Sequence, residues 1–397
     1  MTRTENTNEL AKLRQARYLD FREFKRNLTL DELATLSAKR LLFVYPVVGQ
    51  NEFELVDHPI SQRILMAVAK ELGCCVEWEV ARISEEEFDF YPQESSAAEY
   101  VILHPMISSL DRIADLVSQY RKRMCKAEIV VQTSDQNQHE KLIGGPRGAE
   151  IAEKLLEEIA EIDTVLLGFA EYPLIMNLLG KRTTTTFRRE GRGNYPGFLF
   201  RFDSLPDAAI INDSDSQQVA LRVQRSRGCL SPCTYCIEGQ ANRSVDGERP
   251  WEGIPIEEFV GRLAKYEQRG FFFVNINDSS FEDPGKRGLR DLHRFCDLLI
   301  QRNIRLSYKI HLRAENAPKV NSNDLARWKQ AGIDVIVCGL ESGSQVELDL
   351  YRKIATKKVS GDAFRHLEET DQFCTILGYM MFSPISKFQI WWVWMHP

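Results

Sequence analysis

The sequence predicts an α/β chain: a doubly wound domain followed by a partial barrel. Three observations predict it. From residue 40 onward, short apolar runs alternate with amphipathic helical stretches, the pattern of parallel strands joined by crossover helices. A turn-rich stretch at 181–218 interrupts this rhythm, so it divides between two domains, and 397 residues suit about two to three. Cys229, Cys233 and Cys236 follow the first strand of the second series, the strand end at which barrel-like folds place their chemistry.

The elements follow in order. Residues 1–38 read as N-terminal helices. One is an amphipathic, largely basic stretch from Leu10 to Leu28; the other runs to Ala38 behind a Thr29-x-x-Glu32 capping box. The doubly wound domain spans 39–180. Its strands are Leu41–Tyr45, ended by Pro46, then Cys74–Val80, Tyr100–Leu103, Ala127–Gln132 and Thr164–Leu167. The helix after Pro59 carries Ile60, Ile64, Leu65, Val68 and Leu72 on one face and stops at Gly73. Helices 108–123 and 149–161 complete this part. In the connector, 181–218, Thr183–Thr186 fit a short strand. The barrel spans 219–386, with strands at Val219–Gln224, Phe271–Ile276, Leu306–Ile310, Asp334–Cys338 and Phe373–Phe382. Helices at 255–269, 284–302, 322–331 and 361–369 lie between and after them.

Composition narrows the function classes. Hydrophobic residues are 43% and charged residues 27%, as in folded globular proteins. The net charge of −6 argues against a general nucleic-acid binder, and no nucleic-acid partner is expected. No apolar run reaches the ~18 residues of a membrane span. The charged segment Met1–Asn27 has no signal core, so a cytoplasmic protein without membrane contact is expected. An odd count of nine cysteines argues against a disulfide framework. Cys74, Cys296, Cys338 and Cys374 fall in apolar strands or on an apolar helix face and read as small hydrophobes.

The cysteine group is Arg227-Gly228-Cys229-Leu230-Ser231-Pro232-Cys233-Thr234-Tyr235-Cys236, a Cys-x3-Cys-x2-Cys spacing. Three thiolates on one tight loop can hold three irons of a cubane and leave the fourth open. Structural zinc wants a fourth ligand, commonly from a second paired motif, and none stands here. Chance clustering is the remaining alternative.

This motif resembles the signature of the radical S-adenosylmethionine (SAM) superfamily. Phe272–Phe281, with Asp278 before a Phe, resembles its second-strand segment. Arg313 stands where the family often places a basic SAM contact, and Gly339–Ser344 resembles the fourth-strand segment, followed by Leu348 and Lys353. A doubly wound domain ahead of the cysteines resembles the cobalamin-binding subgroup. Gly144-Gly145-Pro146 resembles its glycine loop and Gly168-Phe169-Ala170-Glu171 its Gly-Glu-Gly-Glu turn. The resemblance covers about residues 40–385 and implies three cofactors: a 4Fe–4S cluster on Cys229, Cys233 and Cys236, SAM, and cobalamin. Tyr235, Asp278, Arg313 and Glu341 would contact SAM; Gly144, Gly145, Gly168 and Glu171 would contact cobalamin. On the residues alone, Asp278 also suits a turn cap, Arg313 an ion pair, and Glu341 a bond to adjacent backbone.

The implied chemistry is cleavage of SAM to methionine and a 5′-deoxyadenosyl radical, with methyl transfer to an unactivated carbon, or to phosphorus, of a small molecule. Radical rearrangement or oxidation without methyl transfer is the alternative, and a non-catalytic remnant is the rival from another class. An electron donor such as flavodoxin or ferredoxin is the implied partner. The first domain departs from the better-known Asp-x-His-x2-Gly pattern, since Asp57 and His58 are adjacent and Pro59 begins a helix. Cobalamin is therefore expected base-off without a histidine ligand. His104 follows the Val101–Leu103 strand and faces the expected cleft, with a structural role as the favoured reading. Residues 387–397, with Trp391, Trp392 and Trp394, form an atypical tail, read as a truncated or altered ending.

Overall fold

The computed structural model describes residues 18–48, 60–83, 88–91, 97–105, 112–132, 148–208, 220–236, 251–283 and 285–380. The chain divides into two compact units, Met1–Ile211 and Asn212–Pro397. The Trp-rich tail, the Gly144-Gly145-Pro146 loop and the Asp57-His58-Pro59 helix start lie outside the described residues.

The first unit opens with β1 (Tyr18–Leu19), α1 (Phe21–Arg26) and α2 (Leu30–Ser37). Thr29 and Glu32 form the expected reciprocal capping box. Next come β2 (Arg40–Val48), α3 (Ile60–Glu71), β3 (Cys75–Ile83), β4 (Phe88–Tyr91), β5 (Tyr100–Leu103), α4 (Ile113–Arg123) and β6 (Glu128–Gln132). The unit then runs through α5 (Gly148–Glu158), β7 (Thr164–Leu166), α6 (Glu171–Leu178), β8 (Thr186–Arg188), β9 (Gly191–Arg192) and β10 (Leu199–Phe200). The sheet order is β4-β3-β2-β5-β6-β7-β8-β9. Strands β2, β3, β5, β6 and β7 are parallel, while β4, β8 and β9 pair antiparallel at the two edges. From β2 the chain steps to β3 on one side and returns to β5 on the other. Right-handed crossovers then cover both faces, and the reversal sets a switch point beside β2 and β5. Residues Leu41–Val44, Val101–Leu103 and Ile129–Val131 are at most 2% exposed, as strands covered on both faces must be.

Two local readings need correction. Pro46 does not end its strand; β2 runs on to Val48 and stays paired with β3 throughout. The Val44 carbonyl accepts from the His104 amide on the β5 side, at 3.3 Å. Alternation turns the Pro46 nitrogen to that same side, beyond the last β5 pairing at Val44–Leu103, where a missing N–H breaks no ladder bond. The N-terminal segment and the connector also join the first unit's body. Strand β1 pairs parallel with β10, and Phe21, Phe24, Tyr172 and Phe200 meet edge-on with centroids 5.2–5.8 Å apart.

The second unit comprises β11 (Ala220–Val223), β12 (Ser226–Arg227), β13 (Glu252–Gly253), α7 (Ile256–Gln268), β14 (Phe273–Ile276), α8 (Gly285–Gln301), β15 (Ser307–Arg313), α9 (Ser322–Gln330), β16 (Ile333–Glu341), α10 (Gln345–Leu350), α11 (Lys357–Glu369) and β17 (Cys374–Tyr379). The main sheet is wholly parallel in sequential order, β11-β14-β15-β16-β17. Sequential right-handed crossovers put every helix on one face, as in a barrel segment. That face is apolar: Phe295 of α8 meets Phe259 of α7 at 6.0 Å and Tyr308 of β15 at 5.5 Å. Helix α11 starts at Lys357 behind a Thr356 cap, four residues before its expected start. Cys374 is exposed on β17, not in a buried strand as expected; Cys74, Cys296 and Cys338 are buried.

Candidate active site

The cysteine loop follows β11 and is pinned at both ends. At its start, Asp278, just past β14, is 1% exposed. Its Oδ1 accepts from the Arg225 amide at 2.7 Å and the Ser226 amide at 3.0 Å, and its Oδ2 accepts from Ser226 Oγ at 2.8 Å. The Arg225 guanidinium lies 3.6 Å away, donates to the Phe281 and Asp283 carbonyls, and sits over the Phe281 ring. Burial raises the Asp278 pKa despite Arg225 and these donors. Gly228, at φ +85°, then turns the chain into Cys229, a left-handed conformation that favours glycine. At the loop's other end, Thr234 donates its amide to the Tyr351 carbonyl at 2.9 Å and its hydroxyl to the Leu350 carbonyl at 3.0 Å.

The three thiols are free of disulfides; Cys229 and Cys233 are buried and Cys236 is partly exposed. Each of the two buried thiols feels the charge of Cys236, so the three share one locality. The Ser231 amide donates to Cys229 Sγ at 3.4 Å, the type of bond that stabilises thiolate sulfur. Burial, with Asp283 beside it, pushes the Cys229 thiol up to about 12, so a metal must displace its proton. Three thiols on one loop with an N–H···S bond have the donor chemistry of an iron–sulfur cluster, whose sulfurs each bind a different iron, while among the described residues no three His, Cys, Asp or Glu side chains converge on a single metal ion.

Arg313 closes one side. At the end of β15 it donates to Ser231 Oγ at 2.9 Å and pairs with Asp283 at 2.6 Å and with Glu282 and Glu315 at 3.4 Å. Burial works against its charge, but Asp283, Glu282 and Glu315 outweigh that and hold its pKa above the ordinary value. Burial pushes Asp283 up to about 6, with Arg313 pulling the other way. Glu341 closes the other side at the end of β16, with φ +68° and Lys353 Nζ 3.1 Å from its carboxylate. Gly339 makes room for it: a Cβ there would lie 2.4 Å from Glu341 Oε1 and 3.3 Å from Lys353 Nζ. The Tyr235 hydroxyl lies near Glu341 and Cys233, while its ring stands edge-on to Tyr351 at 5.4 Å.

Tyr235, Arg313 and Glu341 therefore gather with the cysteines at the carboxyl ends of the strands. Asp278 lies beneath, its oxygens committed to the loop. Sequence reasoning passed over Ser231, Glu282, Asp283 and Glu315. Glu282 and Asp283 carried a signal, as an acidic pair after a strand, but Asp283-Pro284 also reads as a helix start.

In the first unit, Gly168 follows β7 at φ +68°, and Glu171 opens α6, 2% exposed. His104 and Gln132, at the carboxyl ends of β5 and β6, are each 1% exposed and joined at 2.8 Å through His104 Nδ1. A glycine in a left-handed turn at this edge admits close approach of a ligand to backbone. His104, at the end of β5, stands beside the switch point, whereas Gly168 and Glu171 follow β7, two strands further along the same carboxyl edge.

No family model matches the chain. A curated relative, 4′-phospho-dehydrooxetanocin synthase of Priestia megaterium, is 27% identical over 199 residues, which is 46% of this chain and 26% of that protein. The structure of the cobalamin-dependent SAM radical enzyme OxsB, with aqua-cobalamin and SAM bound, superposes with TM-score 0.63 at 18% identity. The match covers 88% of this chain and 50% of OxsB. The radical SAM methyltransferase TsrM from Kitasatospora setae, with tryptophan and a SAM analogue bound, superposes with TM-score 0.62 at 12% identity, covering 89% and 69%. The chain thus spans about a quarter of the curated relative and half of OxsB.

Proposed function

We propose that this chain, which has the fold of the cobalamin-dependent radical SAM enzymes, binds a 4Fe–4S cluster, SAM and cobalamin and uses them to transform a small molecule. The observation that carries this is the cysteine loop with Arg313 and Glu341 on either side of it. Cys229, Cys233 and Cys236 would hold the cluster. When bound, such a cluster offers SAM one open iron and the electron that cleaves its sulfonium. The chain's own part is placement. Asp278 and the Leu350–Tyr351 carbonyls fix the loop, so the three sulfurs keep their spacing. Arg313, amid Asp283, Glu282 and Glu315, and the Glu341–Lys353 pair bracket the loop with charged groups of both signs on each side. These can orient a zwitterionic amino acid moiety and the hydroxyls of a nucleoside. Tyr235 presents a half-exposed ring beside the thiols, a stacking surface for an adenine.

At the first sheet's carboxyl edge, Gly168 and Glu171 would meet cobalamin, a carrier of methyl groups. Base-off binding without a histidine ligand is proposed because Asp57 and His58 are adjacent and lack the Asp-x-His spacing. Methyl transfer is the reaction we favour. Rearrangement is the second reading, because the relatives' names divide between a synthase and a methyltransferase. An electron donor such as flavodoxin or ferredoxin would reduce the cluster.

The test is anaerobic reconstitution followed by reduction in the presence of SAM. About four irons per chain and formation of 5′-deoxyadenosine support the reading. A loaded cluster that never yields 5′-deoxyadenosine refutes the catalytic proposal and leaves a binding protein.

A further inference from the structure

Strand β16 carries an extra residue where it reaches the site. Gly339 pairs with Gly378 of β17 and Glu341 pairs with Tyr379, so two steps along β16 answer one along β17. This is a β-bulge at Leu340–Glu341, a device by which a strand re-aims a side chain beside a site. Glu341 lies in the left-handed region at φ +68°, which a residue with a Cβ holds only where its surroundings fix it. Leu340 is buried on the same alternation as Ile336 and Cys338. Sliding the bulge out by one residue would turn Leu340 to the other face, so the extra residue is locked in. Opposite it two glycines face each other: a Cβ on Gly378 would already meet the Gly339 Cα at 3.4 Å.

The end of β17 holds the turn by two bonds. The Met380 amide donates to the Glu341 carbonyl at 2.9 Å. The Tyr379 hydroxyl accepts from the Gly343 amide at 3.1 Å. Between these points the Ser342 amide donates to the Leu340 carbonyl at 2.9 Å, and Ser342 Oγ accepts from the Ser344 amide at 3.0 Å. The Met380 bond is main-chain, and any residue with an N–H could make it there. The Tyr379 bond comes from a side chain and reaches two residues past Glu341. Phenylalanine in its place would leave the Gly343 amide without this acceptor. The backbone on both sides of Glu341 is therefore set from β17, while Lys353 Nζ, 3.1 Å away, holds the carboxylate itself.

We infer that Tyr379 is a positioning residue for Glu341. Through the Gly343 amide its hydroxyl holds the bulged turn in the strained conformation that aims the carboxylate at the site. Without that bond the turn relaxes and Glu341 loses its aim, whereas the cysteine loop, pinned by Asp278 and by the Leu350 and Tyr351 carbonyls, is untouched. This deepens the proposed function and rests on its reading of Glu341 as a contact of SAM.

The experiment is a double-mutant cycle on the reconstituted 397-residue chain. SAM affinity is read by equilibrium dialysis without reductant, so no SAM is consumed. Tyr379→Phe keeps the ring and removes the acceptor; it should weaken SAM binding about tenfold with iron per chain unchanged. Glu341→Gln should weaken it at least as much. The double variant should bind no more weakly than Glu341→Gln alone, because the hydroxyl acts through that carboxylate. Circular dichroism confirms that each variant is folded. Unaltered SAM affinity in Tyr379→Phe overturns the inference. Losses that simply add in the double variant also overturn it, since they mark a structural role independent of Glu341. If Glu341→Gln itself binds SAM as tightly as the unaltered chain, the SAM contact assigned to Glu341 fails, and this inference fails with it.

Discussion

Replacing Asp278 by Ala should detach the start of the cysteine loop. The carboxylate accepts from two backbone amides and one hydroxyl at 2.7–3.0 Å and faces the Arg225 guanidinium at 3.6 Å. Both residues are 1% exposed, so no water can replace it. Removing one partner of a buried ion pair costs about 3–5 kcal/mol, and each orphaned buried donor about 1–3 kcal/mol. One carboxylate serves all of them, so the costs overlap, and we expect a total of about 4–6 kcal/mol. That is a large share of the roughly 5–15 kcal/mol that holds a domain together. Asp278→Asn keeps one oxygen for the two amides and should cost about half as much. Urea unfolding followed by circular dichroism, with iron per chain after reconstitution, should rank the unaltered chain above Asn and Asn above Ala in both readouts. If Asp278→Ala keeps its unfolding midpoint and its full iron, the loop-anchoring argument fails. If SAM affinity alone falls, the carboxylate acts on the ligand.

Three further outcomes follow from the same geometry. Replacing Cys229, Cys233 and Cys236 together by Ala should abolish iron uptake, whereas Cys338→Ala, buried in β16, should leave the iron count unchanged. Gly339→Ala puts a Cβ against the Glu341 carboxylate, so that carboxylate must shift beside Lys353; SAM binding by equilibrium dialysis should weaken, up to about tenfold, with iron unaltered. His311 has its pKa lowered from 6.5 to about 4, so between those values the unfolded chain takes a proton that the folded chain refuses. Stability should therefore fall as pH drops through that window, by up to about 3 kcal/mol, and His311→Asn should flatten the loss in urea melts at pH 4 to 7.

Much of the fold was legible because burial prints a period on the sequence. Strands covered on both faces, such as 101–103 and 129–131, appear as unbroken apolar runs, and α8 places Leu292, Phe295, Cys296 and Leu299 on one face. What escaped lacks such a period. Strand β4 and the β8–β9 hairpin are edge pieces that the parallel core recruits. Helix α10 exposes Val346 and Leu350, so its apolar residues signal no buried face. Pro46 was misread because its cost depends on where β5 ends, which is information held some sixty residues away.

The site divides in the same way. Three thiols on one loop can be read from spacing, because nearness in sequence guarantees nearness in space. The groups that position them cannot. Asp278 meets the Ser226 amide across 52 residues, and Arg313 meets Ser231 across 82. A carboxylate after a parallel strand looks the same in sequence whether it faces a ligand or its own backbone. Packing decides: Asp278, on the helix-side alternation with Val274 and Ile276, lies beneath the loop and becomes its anchor. Arg313 falls on the opposite alternation and reaches the same loop from the side, through Ser231. Parity along each strand thus decides whether a charged residue meets the loop from beneath, as Asp278 does, or from beside it, as Arg313 does.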